Sequence, residues 1–409
     1  MNDSKASPIT RPDVVLVVGG GRWARVFLDI LCEIVAPKVR IIALTTHNAI
    51  SLSDWLFRKR LRDRVEILPQ LPEFSSPRSV AGIVVNAARD HEKAAEKLLA
   101  SGITVLVEKP IALNSAAVAR LEALALKEDV HLAGAYVFLY ARYIDNFIKI
   151  ISGAGEMRRV YVYWEDPSAE SRHGEQKTYD PGLPIIADWL PHVLPIVEKI
   201  IASSPGVCKQ LQLFRGGAHV ELEIMFGEVR CIVQLIRNGS CRRRLIKVES
   251  DNELFELDFS KEPGIILADG AEICGDLEWE RGPGPVTQML TAFLRFSAGG
   301  TGDDRLDVTI GVRAIKVIDQ VFKIYNSALV SWMTTRLTPP MEIDADLRYA
   351  FCEMLQYKKL LNKMELDECI EKVIMRFSGA DSDYWINELR KIQDPSKIFD
   401  QLIAKPVLL

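Results

Sequence analysis

The run VVLVVGGGRWARVFLDILCEIV, residues 14–35, constrains this chain more than any other stretch. Val14–Gly19 is short, β-branched and apolar throughout, as a strand buried on both faces must be, and it passes through glycines straight into an amphipathic segment. Such a strand needs neighbours whose connections cover it, so an open, doubly wound parallel sheet flanked by helices is expected. The alternation then repeats. VRIIALTT (Val39–Thr46), GIVVNAA (Gly82–Ala88), ITVLVEKP (Ile103–Pro110) and VHLAGAYV (Val130–Val137) read as further strands. DHEKAAEKLLASG, with Asp90 able to cap it and Gly102 to end it, and SAAVARLEALALKED read as helices between them. Residues 51–79 show no clean unit, and the basic run Arg58–Lys59–Arg60 reads as a solvated helix face, with contact to a cofactor phosphate as the alternative. This first domain is expected over 13–150, behind a disordered lead-in at 1–12.

Beyond residue 150 the texture changes. EMRRVYVYWE, AHVELEIMFG, EVRCIVQLIR and CRRRLIKVES alternate apolar with polar residues, the last three joined by short Gly, Asn and Ser turns, which predicts an open, mostly antiparallel sheet. One face of such a sheet can be covered by a second copy of the chain, so a homo-oligomer, a dimer or tetramer built through it, is expected. Helices are expected at ADWLPHVLPIVEKIIAS, VTQMLTAFLRFSA and LDVTIGVRAIKVIDQVFKIYNSALV, completing a second, α+β domain over 151–335. Past Pro339–Pro340 the pattern is helical again, giving a C-terminal helical extension over 336–409. No chemical cluster is legible in it, so it reads as a packing or dimerisation element in preference to a substrate lid.

A length of 409 residues fits this division. The net charge of −4 supplies no positive field for nucleic acid, and no apolar run approaches the roughly 18 residues of a membrane helix. The first residues lack the apolar core of a signal peptide, and the seven cysteines include no C-x-x-C pair, so a soluble protein of a reducing, cytoplasmic compartment is expected. No metal site is expected, because no His, Asp or Cys grouping has ligand spacing.

The chemistry begins at GGGRWAR, which supplies Gly19-x-Gly21-x-x-Ala24 where the first strand becomes a helix. Gly19 allows the tight turn, Gly21 the approach of a pyrophosphate and Ala24 close helix packing, with Arg22 and Trp23 in the first helical turn. The end of the second strand carries Thr45, Thr46, His47 and Asn48 where NAD sites commonly place a carboxylate, so a 2′-phosphate meets no repulsion there and NADP is favoured over NAD. Asn86, Ala87 and His91 sit at and just after a strand end where a cofactor would pass. Glu108-Lys109-Pro110 places an ammonium at another strand end, able to polarise a carbonyl or imine. In IIADWLPHVLP, Asp188 and His192 are four apart and share a helix face, as an acid/base pair would; the alternative is a capping Asp and a structural His. The polar segment Asp166–Tyr179 before it, containing His173, reads as a mobile substrate loop with Tyr179 at its end.

In order and approximate spacing, VVLVVGGGRWAR, VLVEKP and DWLPH resemble the Gfo/Idh/MocA family, the glucose-fructose oxidoreductase and inositol dehydrogenase group, over about residues 13–330. The resemblance implies a Rossmann domain, a second α/β domain, bound NAD(P), a pocket between domains, and catalytic roles for Lys109, Asp188 and His192, with Tyr136 lining the nicotinamide pocket. The chain departs from the family where the glycine-rich lead-in becomes DPGLPIIAD, where Leu190 replaces the usual glycine, and where Pro195 replaces an acidic residue. A less polar rim of Trp164, Trp189, Leu190 and the run Tyr136–Tyr140 suits a more apolar or heteroaromatic small-molecule substrate. The chain also resembles the family's thiazolinyl imine reductase branch, NADPH-dependent reductases of siderophore assembly, which implies reduction of a C=N bond. The alternatives are a sugar or cyclitol dehydrogenase, a non-redox enzyme that recycles NAD, and a non-catalytic nucleotide-binding regulatory or structural protein.

Overall fold

Strand β1 (Val14–Val18) lies inside a six-stranded sheet with β2 (Arg40–Leu44), β3 (Val65–Leu68), β4 (Val80–Val84), β5 (Thr104–Glu108) and β6 (Leu132–Ala135). The order is β3-β2-β1-β4-β5-β6, and every pair is parallel. Crossover helices α1 (Arg22–Ile34), α2 (Ala49–Lys59), α3 (His91–Ala100) and α4 (Ser115–Lys127) supply its cover. Asn114 caps α4, accepting from the Ala117 N–H at 2.9 Å. The stretch without a clean sequence signal thus holds both α2 and β3. Arg58, Lys59 and Arg60 are exposed there, and Lys59 pairs with Asp29 at 2.8 Å, as a solvated face would.

This computed structural model describes residues 9–337 apart from 173–174, 178–182, 202–204 and 252, then 344–356 and parts of 368–391. His173 and Tyr179 lie outside the described residues. The chain forms two compact units. The first takes the described part of 1–146 together with 194–196 and 276–316, and the second takes the remainder. An amphipathic helix not expected from the sequence, α5 (Arg142–Ile151), falls where the first division occurs.

In the second unit, β7 (Met157–Pro167) sits in an eight-stranded sheet with β10 (Val207–Phe214), β11 (His219–Phe226), β12 (Val229–Gly239), β13 (Arg243–Ser250), β14 (Leu254–Asp258), β15 (Ile265–Ala268) and β16 (Ala271–Cys274). The sheet is mixed, since β12 pairs with β7 in parallel and every other pairing is antiparallel. The parallel pair arises because α6 (Ile185–Ile201) and further strands intervene between β7 and β12. The expected loop 166–179 instead carries a two-stranded hairpin, β8 (Glu170–Arg172) with β9 (Glu175–Lys177).

Helix α7 (Pro285–Ser297), read from sequence as part of the second domain, packs in the first unit on α1, β4 and residues 137–140. The long α8 (Val308–Arg336) follows. The extension is helical where it is described, in α9 (Ala345–Gln356) and α10 (Ser382–Lys391). Among the described residues no helix is long and apolar enough to cross a membrane.

Candidate active site

The turn after β1 is built as an anion cradle. Gly19 has φ +139°, and a Cβ there would stand 3.0 Å from the Val85 carbonyl group, so the turn closes only with glycine. Gly21 is the opposite case: it caps α1 in extended conformation, makes no side-chain cap, and its Cβ would enter open space. The first turn of α1 holds no acidic residue, and Ala24 is buried beneath it. Helix N–H groups facing open space through a side-chain-free corner fit a dinucleotide pyrophosphate. Arg22 and Trp23 are half-buried beside it, the guanidinium 5.9 Å from the indole and the indole edge-on to Phe27 at 5.7 Å. Thr46 and His47 lie exposed past the end of β2.

Two further loops meet at the carboxyl ends of β4 and β5. Asn86 and Ala87 are half-buried after β4, whereas His91 is wholly buried, its Nδ1 2.7 Å from the Pro110 carbonyl and its Nε2 3.2 Å from that of Asn86. Burial holds that imidazole below its ordinary pKa, so His91, expected from the sequence beside a cofactor, stands as a neutral tie between the loops. Glu108 is the last residue of β5 and pairs in register with Ala135 of β6. Lys109, half-buried, follows it and precedes a cis peptide to Pro110. Tyr136 is buried, its ring lying where side chains on Gly134 and Gly311 would otherwise be. Close by in sequence, Tyr140 carries the Arg305 guanidinium over its ring at 3.9 Å, and Arg305 is paired with Asp303 at 2.7 Å.

In the second unit Asp188 and His192 both fall on α6. Asp188 Oδ2 accepts from Arg237 Nη2 at 2.8 Å. His192 stacks on Trp164 of β7, with centroids 5.8 Å apart and planes 17° apart. The Trp164 ring also carries Arg244 at 4.2 Å, and the Trp189 ring has Arg237 and Arg244 each at 5.7 Å. Both indoles, expected at a substrate rim, are almost fully buried, and their rings carry the two guanidinium groups. Burial lowers the Arg244 pKa to about 10 despite its pairing with Asp166.

Arg237 is 1% exposed and reaches three acceptors: the Leu183 carbonyl at 2.8 Å, Asp188, and the Tyr349 hydroxyl of α9 at 3.2 Å. Glu353 Oε1 lies 3.7 Å from the guanidinium and accepts from Tyr349 at 2.5 Å, while Oε2 accepts from Tyr325. Burial works against the Arg237 cation, but Tyr349, Asp188 and Glu353 outweigh it and raise its pKa. Burial likewise pushes the Glu353 carboxyl up, to about 7, against the pull of Arg237 and the two tyrosine hydroxyls. Neither arginine was singled out from sequence, although a signal exists. In β12 the inward register runs Cys231, Val233, Leu235, Arg237, and in β13 it runs Arg244, Ile246, Val248, so each arginine occupies an apolar phase.

Sheet order, the open glycine corner and a strand-end lysine define a dinucleotide-binding Rossmann protein, joined here to a mixed-sheet domain and a helical extension. Residues 14–136 match the model of the Gfo/Idh/MocA oxidoreductase family, NAD-binding Rossmann fold. No curated protein matches the chain as a relative. Among solved structures it is similar to UDP-N-acetylglucosamine 3-dehydrogenase from Acidithiobacillus ferrooxidans, with TM-score 0.61, 16% identity, and 77% of this chain and 98% of that one covered. It is similar also to a 3-ketoreductase from Actinomadura kijaniata in complex with TDP-benzene and NADP, with TM-score 0.60, 15% identity and coverage of 77% and 96%. A third is biliverdin reductase from Synechocystis in complex with biliverdin and NADP+, with TM-score 0.58, 16% identity and coverage of 76% and 99%. At these identities the likeness is one of fold.

Proposed function

We propose that this chain is an NADP-dependent oxidoreductase that interconverts a secondary alcohol and a ketone on a sugar or cyclitol, with NAD as the alternative cofactor. The observation that carries the oxidoreductase reading is the glycine corner at α1 in a domain that matches an NAD-binding oxidoreductase family. The cofactor supplies or accepts the hydride at its nicotinamide. Lys109 holds and polarises the substrate oxygen, and His192 takes the hydroxyl proton on oxidation or returns it on reduction. Asp188 orients the pair, and Thr46 and His47 accept the 2′-phosphate of NADP.

Sugar chemistry is preferred here to reduction of a C=N bond. Two of the similar structures carry alcohol–ketone names, a 3-dehydrogenase of a nucleotide sugar and a 3-ketoreductase. The buried state of Trp164 and Trp189 also removes the apolar rim that favoured a heteroaromatic imine. Assembly as a dimer or tetramer through the outer face of the eight-stranded sheet belongs to the same proposal. Light scattering of the purified chain tests it, and a monomer at micromolar concentration refutes it.

The test of the chemistry is steady-state NADP(H) turnover with nucleotide sugars and their 3-keto forms, in the parent, Lys109→Met and His192→Asn. Lys109→Met should keep cofactor binding and lose turnover by about 10²-fold or more. His192→Asn should abolish one limb of the pH–rate profile. Undiminished turnover in both variants would sink the assignment.

A further inference from the structure

We propose that helix α9 of the C-terminal extension is a positioning element for Asp188 and His192, with Tyr349 and Glu353 gripping Arg237 so that its guanidinium holds Asp188 in place. This rests on the reading of Asp188 and His192 as the acid/base pair. The chain of contacts is continuous: Glu353 Oε1 accepts from Tyr349, the Tyr349 hydroxyl accepts from Arg237 Nη1, and Arg237 Nη2 donates to Asp188 Oδ2. His192 stands four residues on from Asp188 along α6, the spacing that puts both on one helix face.

The seat of α9 is made by a separate feature, the turn 215–217 between β10 and β11. Gly216 and Gly217 have φ of +65° and +99° there. A Cβ on Gly216 would fall 2.2 Å from the Asp346 carbonyl oxygen, and one on Gly217 would fall 2.2 Å from the Tyr325 hydroxyl and 3.0 Å from Glu353 Oε2. The backbone of the turn therefore approaches α9 as closely as a chain without side chains allows, and leaves room for the Tyr325–Glu353 hydrogen bond. Leu347, Ala350 and Phe351 bury the rest of the helix. An appendage that merely covered apolar surface would have no use for a carboxylate that is 2% exposed and fixed from both oxygens.

Among the described residues, the charged and titratable groups around this part of α6 are Arg237 from β12, Arg244 from β13 with Asp166 of β7, Arg242 and Glu170 beyond them, Tyr325 from α8, and Tyr349 and Glu353 from α9. With Glu353 ionised, their arrangement shares the Arg237 charge between Asp188 on one side and Glu353 on the other. Taking away Glu353 leaves the whole charge with Asp188, and taking away Arg237 frees Asp188 to act on the imidazole alone. The two losses must therefore move His192 in opposite directions, which loss of packing alone would not do.

The experiment is an NMR titration of the His192 imidazole in full-length, histidine-labelled protein, with His192→Asn used for assignment and NADPH binding by fluorescence as the folding control. Glu353→Ala and Tyr349→Phe should lower the His192 midpoint by about 0.3 pH unit or more, Arg237→Met should raise it, and Asp188→Asn should lower it. Glu353→Asp should restore part of the shift. Should Glu353→Ala fail to fold, Tyr349→Phe and Glu353→Gln carry the same sign test. A His192 midpoint that follows Asp188→Asn and Arg237→Met but ignores both α9 positions overturns the proposal and leaves the acid/base pair standing. A midpoint indifferent to Asp188 and Arg237 as well removes the pair itself.

Discussion

Replacing Glu353 with glutamine should take away a pH dependence of stability that the parent carries. The carboxyl is raised by burial to about 7 in the folded chain, against an ordinary value of 4.5. Between those values the folded state binds a proton that the unfolded state has released, so this group's stabilising contribution is complete below about pH 4.5 and is lost as pH rises through about 7. The gap corresponds to about 3 kcal/mol. Glutamine keeps the shape and can still accept from a tyrosine hydroxyl, but has nothing to ionise. Hydrogen exchange of peptides from α6 and β11–β13, followed from pH 5 to 8, reads the second unit without requiring the chain to unfold as one piece. The parent's opening free energy should fall relative to the variant's by about 3 kcal/mol across that range. Other groups titrate in both proteins and cancel in the difference. Parallel pH profiles for parent and variant would refute the reasoning, because they would mean that Glu353 crosses the range in a fixed charge state.

Gly21→Ala puts its methyl into the space assigned to the pyrophosphate, and should weaken NADPH binding about tenfold or more while leaving thermal stability unchanged. Gly19→Ala should instead destabilise the first unit by about 1–2 kcal/mol, since it forces a side chain into positive φ against the Val85 backbone; calorimetry without cofactor separates the two. Direct competition between NADPH and NADH should favour NADPH, and introducing Thr46→Asp should reverse the order; an unaltered ratio would remove the 2′-phosphate role from this strand end.

What was legible in the sequence follows burial. Strands β1, β4 and β5 are covered on both faces, so their apolar runs announce themselves. Helix α2 buries Leu52 and Leu56, and β3 is an edge strand whose only wholly buried residue is Val65, so neither leaves a clear period. Strand β16 is an exposed edge, and β15 beside it buries only Ile266, so neither leaves a clear period. Helix α7 is legible as a helix while its packing against α1 and β4 is not, because amphipathicity says that a face is buried and not against what. At the candidate site, Lys109 and the Asp188/His192 spacing stand out in the sequence because strand ends and helical spacing are local features, and their roles belong to the proposal. The groups behind Asp188 are not local, since Arg237 comes 49 residues after it and Tyr349 112 residues after Arg237.

Those contacts tie α9 to the buried charge of the second unit. A guanidinium buried to 1% exposure needs its donors matched and its charge balanced, and α9 provides one acceptor directly and one carboxylate within 3.7 Å. Glu353→Ala withdraws a counter-charge while the cation stays buried, and should cost about 3 kcal/mol or more in the second unit. Arg237→Met leaves Asp188 and Glu353 without the cation but puts an apolar chain into an apolar register. Joined, the two substitutions remove both charges of the Arg237–Glu353 pair, so the double variant should be less destabilised than the sum of the single ones by about 1–3 kcal/mol. Urea melts of the four proteins at pH 8, where Glu353 is ionised, close the cycle. Strict additivity would show that the two side chains do not share a charge, and α9 would then be held by its apolar face and its tyrosine hydrogen bonds.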